Sequence, residues 1–240
     1  MMGFFEVSAR ADLIFATTEG VARSLGGAAA GKTVLVPNGA DVALFRAGRL
    51  SPCPRLLADI PKPRIGYCGS LNEKVDFALV DELATARPDW HWVLIGHRPP
   101  SAALPTATGD AFAACLARPN IHFLPAQAHR DLPAIQAHVQ LNVMCYRTDG
   151  QGWWRDIYPL KLGEYLASGP PVVSADLAAV RPFAAVVSIC RRRDDWLGAI
   201  AAALGGDAFA GAAERLAVAA ANGWDSRVDR IARLLEALPE

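Results

Sequence analysis

Two charged residues three positions apart, Lys161 and Glu164, stand in the segment Tyr158-Pro159-Leu160-Lys161-Leu162-Gly163-Glu164-Tyr165-Leu166-Ala167-Ser168-Gly169. On a helix that spacing puts both on one face. Pro159 suits the first turn of such a helix, where its missing N–H leaves no hydrogen bond unmade. Gly169 ends it, and Pro170-Pro171 lead into Val172-Val173-Ser174. Asp156, just ahead, is placed to cap the free amides of the first turn. The positive end of the helix is a seat for a diphosphate. Glu164 lies roughly 7.5 Å along the axis from Pro159, at about 1.5 Å rise per residue. A carboxylate there can take both hydroxyls of a ribose while the diphosphate rests at the helix start. The same residues also fit an ordinary amphipathic helix carrying an exposed Lys–Glu pair, a common and weak feature.

A helix of this kind serves a ligand only if a sheet holds its leading end in a crevice, and the flanking sequence supplies one. Short apolar runs predict strands at 64–69, 91–96, 121–124, 140–145, 171–174 and 186–190. Helical patterns at 76–86, 108–117, 132–138, 159–168 and 194–204 lie between or after them. Fully apolar strands separated by helices indicate a parallel sheet covered on both faces. Right-handed crossovers then give a Rossmann-like domain, whose ligands bind at the carboxyl ends of the strands.

The first 60 residues differ. Strands are expected at 12–16 and 33–36, with a helix Glu19–Leu25 capped by Thr18 and stopped at Gly26-Gly27. Residues 46–63, rich in Pro and Arg, read as a linker. Two strands are too few to bury a core, so this leading piece should pack on something else or be the tail of a missing domain.

Gly26-Gly27-Ala28-Ala29-Ala30-Gly31-Lys32-Thr33 matches the P-loop pattern letter for letter. A P-loop requires a strand before it and a helix after it, so that helix amides face the phosphates. Here the order is reversed. The segment is expected to be a small-residue turn with Lys32 in solvent.

Composition narrows the class. An apolar fraction of 52% and a charged fraction of 20% indicate a packed, ordered chain. A formal net charge of zero gives no support for nucleic-acid binding. There is no 18-residue apolar run, and the start at Met1-Met2-Gly3 lacks the pattern of a signal peptide. Cys53, Cys68, Cys115, Cys145 and Cys190 form no Cys-x-x-Cys pair, so buried thiols in a reducing cytoplasm are expected. The histidines show no metal-ligand spacing, so no metal is expected. Trp153-Trp154 fit either a stacking platform or loop anchors. Asp194-Asp195 precede a helix, where caps belong. Arg191-Arg192-Arg193 fit solvated surface, or a contact with acidic lipid or a charged acceptor. No G-x-G-x-x-G follows the first strand of the sheet, which disfavours a dinucleotide-binding dehydrogenase.

The run P-x-K-x-x-E-Y-L-A-x-G-x-P-V-V at 159–173 resembles the signature of retaining GT-B glycosyltransferases of the group 1, or family four, type. Other pieces agree in order. Ala11-Asp12-Leu13-Ile14 through Pro37-Asn38-Gly39-Ala40-Asp41 resembles the end of that family's first domain. Ile65-Gly66-Tyr67-Cys68-Gly69-Ser70-Leu71 resembles the first strand and glycine loop of its second domain. Asn120-Ile121-His122-Phe123-Leu124 and Trp224-Asp225-Ser226-Arg227 resemble a later strand and the last helix. The details are especially similar to the subgroup associated with teichuronic acid and related polysaccharides.

The resemblance implies an α/β fold: a Rossmann-like parallel sheet forming the C-terminal, donor-binding domain of a GT-B fold, with a remnant of the N-terminal domain. Its boundaries would be 1–50 for the remnant, 51–63 for the linker, 64–223 for the nucleotide-sugar domain and 224–240 for a C-terminal crossover helix. It implies a glycosyltransferase using a UDP- or GDP-linked sugar and a saccharide or lipid-linked acceptor in polysaccharide biosynthesis. A missing N-terminal domain or partner subunit would complete the cleft. The setting would be cytoplasmic, with a peripheral place at the inner membrane face left open. No cofactor or metal is implied, because the nucleotide sugar is a substrate. The alternatives are a non-catalytic nucleotide-sugar-binding module and a GT-B-like epimerase.

By the same resemblance Glu164 binds the ribose, and Asp156, a shorter carboxylate, stands where the family's first Glu contacts the donor sugar. Lys74 matches one of the basic residues near Gly69 that bind the diphosphate, and equally fits a solvated loop lysine. Ser70 stands where an Arg is frequent. Arg155 is a substitute candidate for that missing contact, Lys161 lies on the same helix face as Glu164, and the loop at Pro125 lies near the base. Val228, Ile231, Leu234 and Leu235 of the last helix, expected over Ser226–Leu238, recur with helical spacing and need an apolar partner.

Overall fold

The computed structural model describes residues 4–29, 31–100, 103–149, 152–206 and 210–238. Met1–Gly3, Ala30 of the P-loop-like run and residues 239–240 of the expected last helix lie outside them. Among the described residues, no helix is long and apolar enough to cross a membrane.

The main sheet has six parallel strands: β3 (Arg64–Cys68), β4 (His91–Ile95), β5 (Ile121–Leu124), β6 (Leu141–Met144), β7 (Val172–Ala175) and β8 (Ser188–Cys190), in the order β5-β4-β3-β6-β7-β8. All residues of β3, β6 and β7 are buried, as strands covered on both faces require. The strand order runs outward from β3 in one direction and then resumes with β6 on its other side. The reversal leaves a crevice at the carboxyl ends of β3 and β6, the place where open α/β sheets bind ligands.

Helices cover both faces. α4 (Phe77–Ala86) packs on α5 (Thr106–Leu116), and Asp76 caps α4 by accepting the Leu79 N–H at 2.8 Å. α6 (Leu132–Ala137) and α7 (Leu160–Ser168) lie together, while α8 (Asp195–Gly205) packs on β7 and β8. The strands and helices read from apolar periodicity thus stand within two residues of their expected bounds.

The leading piece forms a separate parallel pair, β1 (Ile14–Ala16) with β2 (Thr33–Leu35). Between them runs α2 (Glu19–Ser24), whose Val21 N–H is capped by Thr18 Oγ1 at 3.1 Å. A further helix, α1 (Phe4–Arg10), precedes the pair. The P-loop-like run lies between α2 and β2, with a 3-10 turn at Gly27–Ala29, but Lys32 is not simply solvated. Its Nζ donates to the carbonyl of Ala9 at 2.9 Å and ties the turn to α1.

Residues 42–63 are packed rather than loose. α3 (Val42–Ala47), capped by Asp41 through the Leu44 N–H at 2.9 Å, lies against α6 and α7. Phe45, Leu57 and Ile60 sit in the main core. The Pro and Arg content of this stretch obscured three apolar anchors.

Two helices end the described chain, α9 (Ala212–Ala221) and α10 (Trp224–Glu236). α9 carries little apolar pattern because six of its ten residues are alanine, too small to mark a face: its helicity rests on alanine propensity. It packs on α7 through Arg215, which is 4% exposed. That guanidinium donates to the carbonyl of Gly169 from Nε (3.1 Å) and Nη2 (2.6 Å), and to the carbonyl of Ala210 from Nη1. It therefore closes the carboxyl end of α7. Arg215→Met strands these carbonyls without donors, and we expect a loss of about 2–4 kcal/mol in urea denaturation. A loss below about 1 kcal/mol would show that the bonds do not fix α7.

The N–H of Trp224 at the start of α10 donates to the carbonyl of Ala40 at 3.1 Å. α10 has no buried residue, and Val228 and Leu235 are 57% and 49% exposed. Of the apolar stripe expected to need a partner, Val228 and Leu235 are thus exposed and Ile231 and Leu234 half-buried.

Candidate functional site

At the carboxyl ends of β3 and β6, a cavity of about 450 Å³ opens against the start of α7. Gly69, Ser70 and Lys74 of the β3–α4 loop line it, with Tyr146 from beyond β6 and Pro159, Lys161 and Glu164 of α7. The leading piece contributes Thr17, Val21 and Asn38. Asn38 Nδ2 donates to the carbonyl of Tyr158 at 3.1 Å and holds the approach to α7.

Local packing explains why the two flanks meet. Leu162, Tyr165 and Leu166 of α7 are fully buried, which fixes the rotation of the helix. The Cys68 N–H donates to the Tyr165 hydroxyl at 2.8 Å and pins the end of β3 to α7. With that face buried, Lys161 and Glu164 turn toward the cavity, one turn apart.

Lys161 is not half of an exposed ion pair. It is 8% exposed, and its Nζ has no hydrogen-bond partner. Nζ lies over the ring of Tyr67, 3.7 Å from its centre, and 5.1 Å from the centre of Tyr146. Burial, followed by the nearby Lys74, pushes the amine from its ordinary 10.5 down to about 7. Gly69, at φ +141°, crosses above it: a Cβ on Gly69 would lie 2.7 Å from Nζ.

Lys74 is half-buried, its Nζ 5.6 Å from the ring centre of Trp153 and 5.8 Å from that of Tyr146. Burial lowers its pKa and Glu73 opposes the shift. It is therefore more than a solvated loop lysine. Trp153 is held by a hydrogen bond from Nε1 to Glu73 at 3.1 Å, whereas Trp154 is buried and donates to the Arg147 carbonyl at 3.0 Å.

The Glu164 side chain is 14% exposed, and its Oε1 accepts from His129 Nε2 at 3.0 Å. The His129 ring meets Phe45 edge-on at 5.4 Å. Neither His129 nor the tyrosine pair was singled out from sequence. No spacing links residues so far apart; only the sheet order brings the loop after β5 beside α7.

Other expected site residues fall elsewhere. Asp156 does not cap α7, which begins at Leu160 with Pro159 at the cap position and no side-chain cap. Its exposed carboxylate instead faces Arg23 at 4.0 Å, and its backbone carbonyl accepts from the Thr18 hydroxyl. Asp156 and Arg155 both line a neighbouring cavity of about 510 Å³, which shares Thr17, Ile157 and Tyr158 with the first. Arg155 thus lines the neighbouring cavity and not the one that Ser70 lines. Pro125 is exposed and lines neither cavity; its carbonyl accepts from Gln127 Nε2 at 2.9 Å.

The arginine cluster after β8 is largely paired. Arg193 contacts Glu82 at 2.5 Å and Asp76 at 3.3 Å, and Arg192 contacts Asp194 at 3.1 Å. Asp195 Oδ2 accepts the N–H groups of Arg191 and Arg192 at 3.1 and 2.8 Å.

Comparison with known proteins places this geometry. The family model for Glycosyl transferases group 1 matches residues 62–217. TuaH of Bacillus subtilis (strain 168), a candidate teichuronic acid biosynthesis glycosyltransferase, is 30% identical over 148 residues, covering 61% of this chain and 35% of its own length. Among solved structures, Anabaena Alr3699/HepE in complex with UDP-glucose aligns with a TM-score of 0.76 at 17% identity, over 98% of this chain and 66% of that one. The trehalose-6-phosphate synthase OtsA aligns at 0.73 and 16% identity, over 98% and 62%. This chain therefore spans about a third of the curated relative and less than two thirds of these structures. Their likeness shows the fold, a Rossmann-like α/β domain of the GT-B kind. The matched segment holds the whole main sheet, the glycine loop and α7, and the chain belongs to the group 1 glycosyl transferases.

Proposed function

We propose that the chain binds the nucleoside-diphosphate sugar of a retaining glycosyl transfer, through the cavity between the β3–α4 loop and α7. The observation that carries this reading is the convergence of Lys74, Lys161, Gly69 and Glu164 on one crevice at the reversal of the sheet.

The chemistry follows from position. A diphosphate at the start of α7 meets the free amides of the first turn, with Lys74 on one side and Lys161 on the other. Negative charge grows on the departing diphosphate as the glycosidic bond breaks, and the two lysines stabilise it there as cations. Glu164 takes the ribose hydroxyls. The sugar then extends past Tyr158 toward the neighbouring cavity, which brings it to Asp156. Gly69 lets the backbone approach the phosphates closely.

Uridine is the base we favour, because HepE has been solved with UDP and with UDP-glucose. The acceptor we propose is a saccharide or lipid-linked saccharide, in line with the polysaccharide role in the name of TuaH. We assign donor binding to this chain, and transfer to the cleft it forms with a second Rossmann-like half. We assign no metal to the donor site, and place the chain in the cytoplasm, where its five free thiols stay reduced.

Thermal melting with UDP, GDP, ADP, UDP-glucose and GDP-mannose tests the reading. At about a hundredfold excess over Kd, one nucleotide is expected to stabilise the fold by about 2.7 kcal/mol, and dose-dependently. A flat response across the panel overturns it.

A further inference from the structure

The most unusual group in the molecule is the Lys161 amine, buried without a hydrogen-bond partner against the wall of the donor cavity. A charged ammonium loses several kcal/mol of hydration in such a place unless a counterion restores it. Its surroundings supply none that suffices. From β3 it meets Tyr67 and Cys68, and from beyond β6 Cys145 and Tyr146. Burial raises the pKa of all four, so they stay neutral near pH 7. Lys74, from the β3–α4 loop, repels the charge. Glu164, on the same helix, favours it but is engaged by His129. Two ring faces soften the penalty without removing it.

We propose that Lys161 rests in the empty site as a neutral amine and takes up a proton from solvent as the donor diphosphate binds, so that pH sets donor affinity. This inference rests on the donor-site reading above. The four-carbon stem is the moving part. Rotation about it carries Nζ from the tyrosine cage into the cavity that the side chain already lines. Lys161 there supplies the second cation that Ser70, in place of an Arg, does not.

Linkage gives the sign. Above about pH 7 the empty folded chain holds one proton fewer than either the complex or the unfolded chain. Donor affinity therefore falls as pH rises above 7, while the empty fold gains stability between about 7 and the ordinary 10.5.

Isothermal calorimetry with UDP-glucose, whose diphosphate diester does not titrate near neutral pH, tests this on the full chain. Titrations in two buffers of different ionisation enthalpy should show uptake of roughly 0.9 proton per nucleotide at pH 8 and roughly 0.1 at pH 6. Kd should weaken roughly 30-fold between pH 6 and 8.5. Lys161→Met should bind more weakly with no uptake, and Lys161→Arg, always charged, should bind with no pH slope. Binding of wild type with unchanged affinity and no uptake overturns the inference and leaves the donor site standing. Uptake that survives in Lys161→Met also overturns it, and a parallel Lys74→Met titration shows whether that neighbour carries the proton. If neither UDP-glucose nor GDP-mannose binds at any pH, the donor-site reading fails and the inference with it.

Discussion

Glu164→Ala is expected to weaken binding of the nucleotide sugar at least about 100-fold while leaving the fold intact. The size follows from two charge-assisted hydrogen bonds to ribose hydroxyls, each contributing about 1.5–3 kcal/mol. Glu164→Gln keeps the shape and one acceptor and should fall between, at about tenfold. Little stability is at stake. The carboxylate is mostly buried, its one described partner is the largely exposed His129, and its removal strands no buried donor. His129→Ala orients the carboxylate less well and is expected to cost about fivefold. Measuring 2′-deoxy-UDP against UDP separates the ribose contact from a general effect. The deoxy nucleotide should bind wild type more weakly, and Glu164→Ala should no longer distinguish the two, since the interaction they share is already gone. If Glu164→Ala binds UDP within threefold of wild type, the ribose assignment is wrong.

Much of this site was open to reading before any coordinates. The spacing of Lys161 and Glu164 behind Pro159 placed both on one helical face, and the structure turns that face to a cavity. Gly69, Ser70 and Lys74 reach the same cavity because β3 is a fully buried strand whose end fixes where the loop begins. Contacts that depend on the sheet order were not legible. The Tyr67–Lys161–Tyr146 cage joins β3, α7 and the end of β6, and nothing in the spacing of those residues announces it. Asp156 shows the opposite failure. Local logic made it a helix cap, but the chain between Arg155 and Pro159 turns it toward α2, where Arg23 competes for the carboxylate. The linker reading of 46–63 misses packing for a third reason. The prolines and arginines of this stretch read as a linker, while Phe45, Leu57 and Ile60 lie in the core with Val42, Leu44 and Leu56 packed against it.

The same interlocking of loops makes Gly96→Ala the most disruptive small substitution we expect. Gly96 follows β4, and Gly69 follows β3, its neighbour in the sheet. The Gly69 N–H donates to the Ile95 carbonyl at 2.8 Å and the Leu71 N–H to the His97 carbonyl at 3.0 Å, so the two strand ends are laced together. A Cβ at position 96 would lie 1.9 Å from the Gly69 carbonyl oxygen, and Gly96 has φ +156°. The obstacle is backbone, which cannot rotate aside as a side chain can. Overpacking adds about 1–3 kcal/mol and the unfavourable backbone conformation about 1–2 kcal/mol, so a loss of about 3–4 kcal/mol is expected. For a chain of this size that lowers Tm by about 8–12 °C. Relief of the clash must move Gly69, which carries one wall of the donor cavity, so UDP-glucose affinity should fall more than tenfold even in the folded fraction. Gly198→Ala is the control. Gly198 lies in α8, a Cβ there meets nothing within 4 Å, and alanine is the better helix former. That variant should gain about 0.5–1 kcal/mol and bind UDP-glucose as wild type does. Should the two variants melt alike, the contact between the β3 and β4 loops is not what holds the cavity open.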